Sequence, residues 1–288
     1  MKSLTFLLPF ASVATAICHY GTSLGPRDLG LAERAEGSFG YHELEGAINW
    51  HALDSKNKLC ATGKTQSPIN VVRSERTIVP GRSYGLNIPS YPYGAPIQNL
   101  GTTVQTTVNG SATILNDASY VLRQFHFHTP SEHHLDGEHF AGEVHFVFEN
   151  SNRKLAVIGF FIEIAGGGDQ PTQVISSALD GLGAIPEAGQ QGVTSSLNFA
   201  GLREHLRRSD VYQYGGSLTT PPCSEEVTFN VAAKPIYVSA DKYRALKRIV
   251  KFNSRFTQNK PGEENILQVV SRTVSRLVQN TRRRAFNA

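Results

Sequence analysis

The chain has 288 residues, 40% of them hydrophobic and 18% charged, with a formal net charge of +4; this is ordinary globular composition, large enough for a sizeable core and unlike a disordered or fibrous chain. The positive balance comes mostly from Arg272, Arg276 and Arg282 to Arg284 near the C-terminus, leaving the body nearly neutral. With a single Trp and no basic stripe interleaved with aromatics, no nucleic-acid partner is expected.

The chain opens MKSLTFLLPFASVATA, with one Lys, an apolar run from Leu4 and a small-residue Ala14-Thr15-Ala16 pattern. Residues 1–16 therefore read as a secretory signal peptide. A spanning anchor needs about 18 or more apolar residues, whereas this run ends at His19 and no later stretch is longer. No membrane partner is expected, and the mature chain should be secreted, either extracellular or periplasmic. Residues 17–36 mix Gly, Pro and charge without a period and read as an arm or propeptide.

Residues 37–262 hold short apolar runs between Gly, Pro and Asn punctuation: TTVQTTV, ATILN, YVLRQFHFH, EVHFVFE, LAVIGFFIEI, VTFNVAA and PIYVS. These read as strands. Helical spacing is found in SADKYRALKRIV, which opens on a Ser cap, and in NILQVVSRTVSRLVQ. The second of these sets residues 263–288 apart as a basic helix and tail. Ile266, Val270, Val274 and Leu277 share one face of it, suited to docking on the protein's own body or to pairing two copies. The expected fold class is mainly β, a single domain with few peripheral helices.

Three cysteines occur, Cys18, Cys60 and Cys223. In an oxidising compartment a pair of them should bond. Cys60 and Cys223 lie deep in the globular stretch and Cys18 adjoins the cleavage site, so Cys60 with Cys223 is the expected disulfide. Cys18 is then free, or available to bridge a homodimer. Asn109-Gly110-Ser111 is an N-glycosylation sequon.

The stretch QFHFHTPSEHH, Gln124 to His134, carries the chemistry. On a strand, residues i and i+2 share a face, so His126 and His128 point one way while Phe125 and Phe127 face the core. A following strand, GEVHFVF, offers His145, and Asp136-Gly137 supplies a turn between them. Three imidazoles converging on a β scaffold would make an open zinc site. Gln124 and Glu143 each sit two residues before a candidate ligand, placed to accept the outer N–H of its ring. Spacing alone leaves zinc and purely structural histidines both open.

QFHFH, SEH, EVH and SLTTPP followed by Cys223, together with Phe39-Gly40-Tyr41 and QSPIN at Gln66 to Asn70, resemble the α-class carbonic anhydrases from Phe39 to about Asn259. The resemblance implies a central twisted, mostly antiparallel sheet of about ten strands with zinc at the bottom of a conical cavity, bound by His126, His128 and His145. It also implies reversible hydration of CO2 to bicarbonate and a proton by attack of zinc-bound hydroxide. Gln124 and Glu143 match the acceptors behind the ligands. Thr219 matches the threonine that accepts from the hydroxide and passes its own proton to Glu132, and Thr220 lines the cavity beside it. Val147, Val157, Leu218 and Val227 match the CO2 pocket, and Tyr41 a member of the solvent network. The Cys60–Cys223 pair also matches a disulfide of extracellular members.

The chain departs from the family in two places. A shuttle histidine in an Asn-Gly-His stretch is replaced by Leu100-Gly101-Thr102, so turnover should depend on buffer unless another group such as His42 takes over. The family's Asn-aromatic-Arg-Pro segment, which supplies a backbone acceptor to one ligand, is matched only by Asn280-Thr281-Arg282, which leaves that acceptor unassigned. His133 matches a buried family histidine that supports the fold, while His134 and His139 should face solvent.

Overall fold

Alternation of Phe and His along one long strand sets the orientation of everything around the site. The computed structural model describes residues 39–75, 77–114 and 118–286; the expected signal peptide, arm and Cys18 lie outside them. In chain order the strands are β1 (Asn70–Val71), β2 (Thr77–Pro80), β3 (Gly85–Asn87), β4 (Pro96–Asn99), β5 (Val104–Ile114) and β6 (Ala118–His128), then β7 (His134–Leu135), β8 (Gly142–Glu149), β9 (Leu155–Ile164), β10 (Gln191–Val193), β11 (Asp210–Ser217) and β12 (Glu225–Val238). The α-helices are α1 (Trp50–Leu53), α2 (Leu59–Thr62), α3 (Gln173–Leu179), α4 (Ala200–Arg207), α5 (Ala240–Val250) and α6 (Ile266–Phe286).

A 10-stranded sheet runs β10-β4-β5-β6-β8-β9-β12-β11-β2, with β3 added beside β5. Every pairing in it is antiparallel except β9 with β12. The expected sheet is thus present. VTFNVAA and PIYVS, two runs in the sequence, are one strand, β12, whose register shifts between Ala232 and Ile236. The Ser239 side chain caps α5 by accepting from Lys242 N, as its position suggests.

Phe125 and Phe127 are fully buried in the larger core with Phe146, Phe160 and residues of α3, α4 and α5. The opposite face of β8, β9 and β12 carries a smaller cluster including Val147, Val157, Phe161, Val227 and Phe229. The period of 2 along each strand therefore separates one hydrophobic face from another that holds both polar chemistry and a smaller mixed aliphatic and aromatic cluster.

Cys60 and Cys223 form the expected disulfide, in a third cluster with Trp50 that Phe39 and Tyr41 pack against. α6 departs from docking on the protein's own body, one of its two expected placements. Only its root docks: α2 packs against it and buried Asn265 donates to Gly63 O at 3.0 Å, while Val270 to Asn280 are all exposed.

Candidate metal centre

β6 and β8 pair so that His126 stands directly across from His145. His128 lies two residues on, along the same face. The turn that makes this possible runs through Asp136 and Gly137, both at positive φ (51° and 91°), where Gly carries no Cβ penalty. One nitrogen from each of His126, His128 and His145 lies within 4.8 Å of the others, and all three residues are buried.

Each ring is turned by an acceptor behind it. His126 Nδ1 meets Gln124 Oε1 at 2.9 Å, His128 Nδ1 donates to the Asn253 carbonyl at 2.9 Å, and His145 Nε2 donates to Glu143 Oε1 at 2.8 Å. With the outer nitrogen protonated, the inner one presents a lone pair. The inner nitrogens are therefore Nε2 of His126, Nε2 of His128 and Nδ1 of His145. His128 Nε2 is buried and has no hydrogen-bond partner, which is costly unless something outside the protein's own polar groups satisfies it. Three neutral imidazoles facing one point, one of them orphaned, fit a divalent cation with an open position.

Burial pushes His126 well below the usual histidine range and lowers His128 as well, favouring the neutral, ligating form. Burial also acts to lower His145, but the Glu143 carboxylate outweighs it and raises that ring. Glu143 would be raised by burial, yet the charges and hydrogen bonds of His133 and His145 hold it well below the usual carboxylate range. Its other oxygen accepts from the backbone N–H groups of Glu132 and His133, each at 2.9 Å. Gly159 faces His145 across β9, and a Cβ there would stand 2.9 Å from Glu143 Oε1, so only glycine leaves room for the carboxylate.

His133 is fully buried, with Nδ1 to Glu143 at 2.8 Å and Nε2 to the Tyr214 hydroxyl at 2.6 Å. Tyr214 in turn meets Ser67 Oγ at 2.8 Å, and Ser67 Oγ accepts from Ser217 N at 3.0 Å. This chain ties the loop before β1 to β8 and β11. His134 is half-buried and His139 exposed, their rings 6.1 Å apart.

Glu132 Oε1 accepts from Arg255 N at 2.9 Å; Glu132 Oε2 lies 3.4 Å from His128 Nε2 and has no hydrogen-bond partner. Thr219 and Thr220 are buried in the segment that closes where Cys223 N donates to Thr220 O at 2.9 Å. Among the described residues the Thr219 hydroxyl makes no hydrogen bond to Glu132, whose Oε2 stays open. Val147, Val157, Leu218 and Val227 all fall in one hydrophobic cluster, which also holds Phe161, Tyr214 and Phe229. Tyr41 is raised by burial and by the Glu132 charge.

Asn253 corrects the sequence reading of the C-terminus. The backbone acceptor for His128 comes from Asn253-Ser254-Arg255, not from Asn280-Thr281-Arg282, because the chain turns back across the sheet directly after α5. Asn253 does more than accept: its side chain receives Thr129 N at 2.7 Å and donates to Phe127 O at 2.8 Å and Thr102 O at 3.0 Å. The sequence holds the signal, an Asn-x-Arg run within the matched region.

A family model described as eukaryotic-type carbonic anhydrase matches residues 45–285. Alpha carbonic anhydrase 3 of Arabidopsis thaliana is 32% identical over 229 residues, 78% of this chain and 81% of that protein. A carbonic anhydrase of Pectobacterium carotovorum is 33% identical over 210 residues, 71% and 80% of the two chains. The solved fungal alpha carbonic anhydrase from Aspergillus oryzae superposes with a TM-score of 0.77 at 43% identity, over 81% of this chain and 98% of that one.

Proposed function

Since this chain belongs to the eukaryotic-type, or α, carbonic anhydrase family and is a carbonic anhydrase, we propose that it hydrates CO2 reversibly to bicarbonate with a zinc ion held by His126, His128 and His145. The observation that carries this reading is the trio of inward nitrogens whose rings are each anchored at the opposite nitrogen. Zinc bound there would lower the pKa of a water to about 7, a figure for which carbonic anhydrases are themselves the reference, and so supply a nucleophile at neutral pH. Copper-selecting thiolates and thioethers are absent from the trio, and the hard cations prefer carboxylates.

The chain's own residues do the rest. Glu132, fixed at one oxygen by Arg255 N, keeps Oε2 for the Thr219 hydroxyl proton. Thr219, once it donates there, can only accept from the attacking oxygen, which orients that oxygen's lone pair toward the substrate. Thr220 borders the same space. CO2 carries no charge and no strong hydrogen-bonding group, so the aliphatic wall of Val147, Val157, Leu218 and Val227 holds it weakly and releases polar bicarbonate.

Proton export is the slow step. Thr102 cannot titrate near neutral pH, and a group of pKa about 7 losing its proton to water, with return at roughly 10^10 M⁻¹s⁻¹, turns over at about 10^3 s⁻¹, against about 10^6 s⁻¹ for the fastest members. Buffer should lift the rate. Secretion is supported by the Cys60–Cys223 disulfide, and Asn109, exposed on β5, is the glycan acceptor.

Stopped-flow CO2 hydration over a buffer series, on protein of assayed zinc content, tests the reading. Activity that climbs with buffer and disappears on chelation is expected. Zinc-loaded protein without activity would overturn the enzymatic reading, and a buffer-independent rate well above about 10^4 s⁻¹ would overturn the missing shuttle.

A further inference from the structure

α6 contributes nothing to the site, yet it concentrates the charge of the whole molecule. Between Ile266 and Phe286 the sequence holds five arginines and no Asp or Glu, more positive charge than the net +4 of the entire chain. Arg272 is paired with Glu264 at the helix root; Arg276 and the run Arg282 to Arg284 have no carboxylate on their helix.

The same helix carries an apolar stripe. Val270, Val274, Leu277 and Val278 retain 53%, 53%, 60% and 46% of their surface in solvent, and their spacing of four, seven and eight puts them on one side. At about 100° per residue, Arg272 and Arg276 fall on the opposite side. No helix of the described residues is long and apolar enough to cross a membrane.

We propose that α6 is an interfacial helix, which lays the stripe of Val270, Val274, Leu277 and Val278 into the headgroup boundary of an anionic phospholipid bilayer while its arginines engage the lipid phosphates. A second copy of the chain explains the stripe less well. Apolar residues at heptad spacing run only from Leu267 to Leu277, whereas a self-pairing coil needs about 3–4 heptads. Pairing would also gather two arginine-rich helices with no acidic complement between them. An anionic surface turns the same charges into attraction, roughly fivefold in affinity for each arginine near it. The absence of a spanning stretch does not oppose this, because an interfacial helix needs one apolar face and no spanning length.

The test is flotation of the full secreted chain with vesicles of phosphatidylcholine alone and of phosphatidylcholine doped with phosphatidylglycerol, at low and high salt. Binding to the doped vesicles only, weakened by salt, is expected. R282Q/R283Q/R284Q should weaken it about a hundredfold and V274E/L277E should abolish it, with CO2 hydration unchanged in both. No partition onto doped vesicles overturns the proposal. So does binding indifferent to V274E/L277E, which would reduce it to charge alone. A dimer seen by light scattering that V274E/L277E dissolves, without vesicle binding, would assign the face to a second copy.

Discussion

Glu143→Gln is the most informative single change at the centre, because one carboxylate there satisfies donors from three residues. Oε1 receives His133 Nδ1 and His145 Nε2, each at 2.8 Å, and Oε2 receives the backbone N–H of Glu132 and of His133, each at 2.9 Å. An amide keeps one oxygen and turns an NH2 toward the other pair of donors. Two buried donors then lose their acceptor at about 1–3 kcal/mol each, so the variant should be destabilised by about 2–6 kcal/mol. At about 2–4 °C per kcal/mol for a domain of this size, the melting temperature of metal-stripped protein should fall by about 5–20 °C. Neutralising the group also removes the burial penalty on its charge, which pulls toward the low end. The carboxylate is nonetheless held well below its usual range, so its partners outweigh that penalty. If the amide oxygen stays with the imidazoles, the backbone donors are the orphans; if it turns, His145 loses its anchor. The second case predicts about 10- to 100-fold weaker zinc binding, read by competition with a fluorescent chelator. A melting temperature within about 2 °C of wild type, together with unchanged zinc affinity, would refute the idea that Glu143 holds the ring in place.

Opening the disulfide, which spans a sequence separation of 163, should cost about 5 kcal/mol by the loop-entropy relation; thermal melts of the C60A/C223A variant should show a loss of about 10–20 °C. In metal-stripped protein, His126, His128 and His134 have lowered native values, so the unfolded chain takes up their protons first as pH drops below about 6.5. His145, raised, works in the opposite sense, so denaturant titrations should show stability falling by at least about one proton's worth, about 1.4 kcal/mol per pH unit, just below that point; a flat profile would contradict the assigned directions. Val147→Tyr should fill the aliphatic wall and reduce CO2 hydration at least about a hundredfold while zinc content stays at wild-type level. Thr102→His should raise the rate measured at low buffer above about 10^3 s⁻¹, and no gain there would show that position 102 does not reach the proton path.

Much of the site was legible because its parts are local. The alternation in QFHFH needs only the strand period to place two imidazoles on one face, and GEVHFVF brings the third across in register. Gln124 and Glu143 follow from the same period. What stayed hidden lies far away along the chain. Asn253 reaches His128 across 125 positions, with no period linking the two segments. β11, DVYQYGGS, was missed as a strand because its glycines break the alternation that marks the others, yet it pairs with both β12 and β2. α6 was legible as a helix but not in its placement, since an apolar stripe in sequence does not say whether anything covers it.

The segment after α5 explains why the centre is built from such distant pieces. Arg255 is buried at 2% exposure, and burial lowers it to about 10, which still leaves it cationic at neutral pH. A buried cation persists only where other groups compensate it. Here its guanidinium donates to Ser67 O at 2.7 Å and Cys60 O at 3.1 Å and lies 5.7 Å from the Trp50 ring. Its backbone N–H meanwhile holds Glu132, two residues beyond the Asn253 carbonyl that holds His128. One short stretch thus fixes a metal-facing imidazole and the carboxylate beside it, and clamps both to the segment carrying the disulfide. The sheet sets which residues face each other; this clasp sets the angle at which they do so, and three imidazoles can share one cation only if both are right.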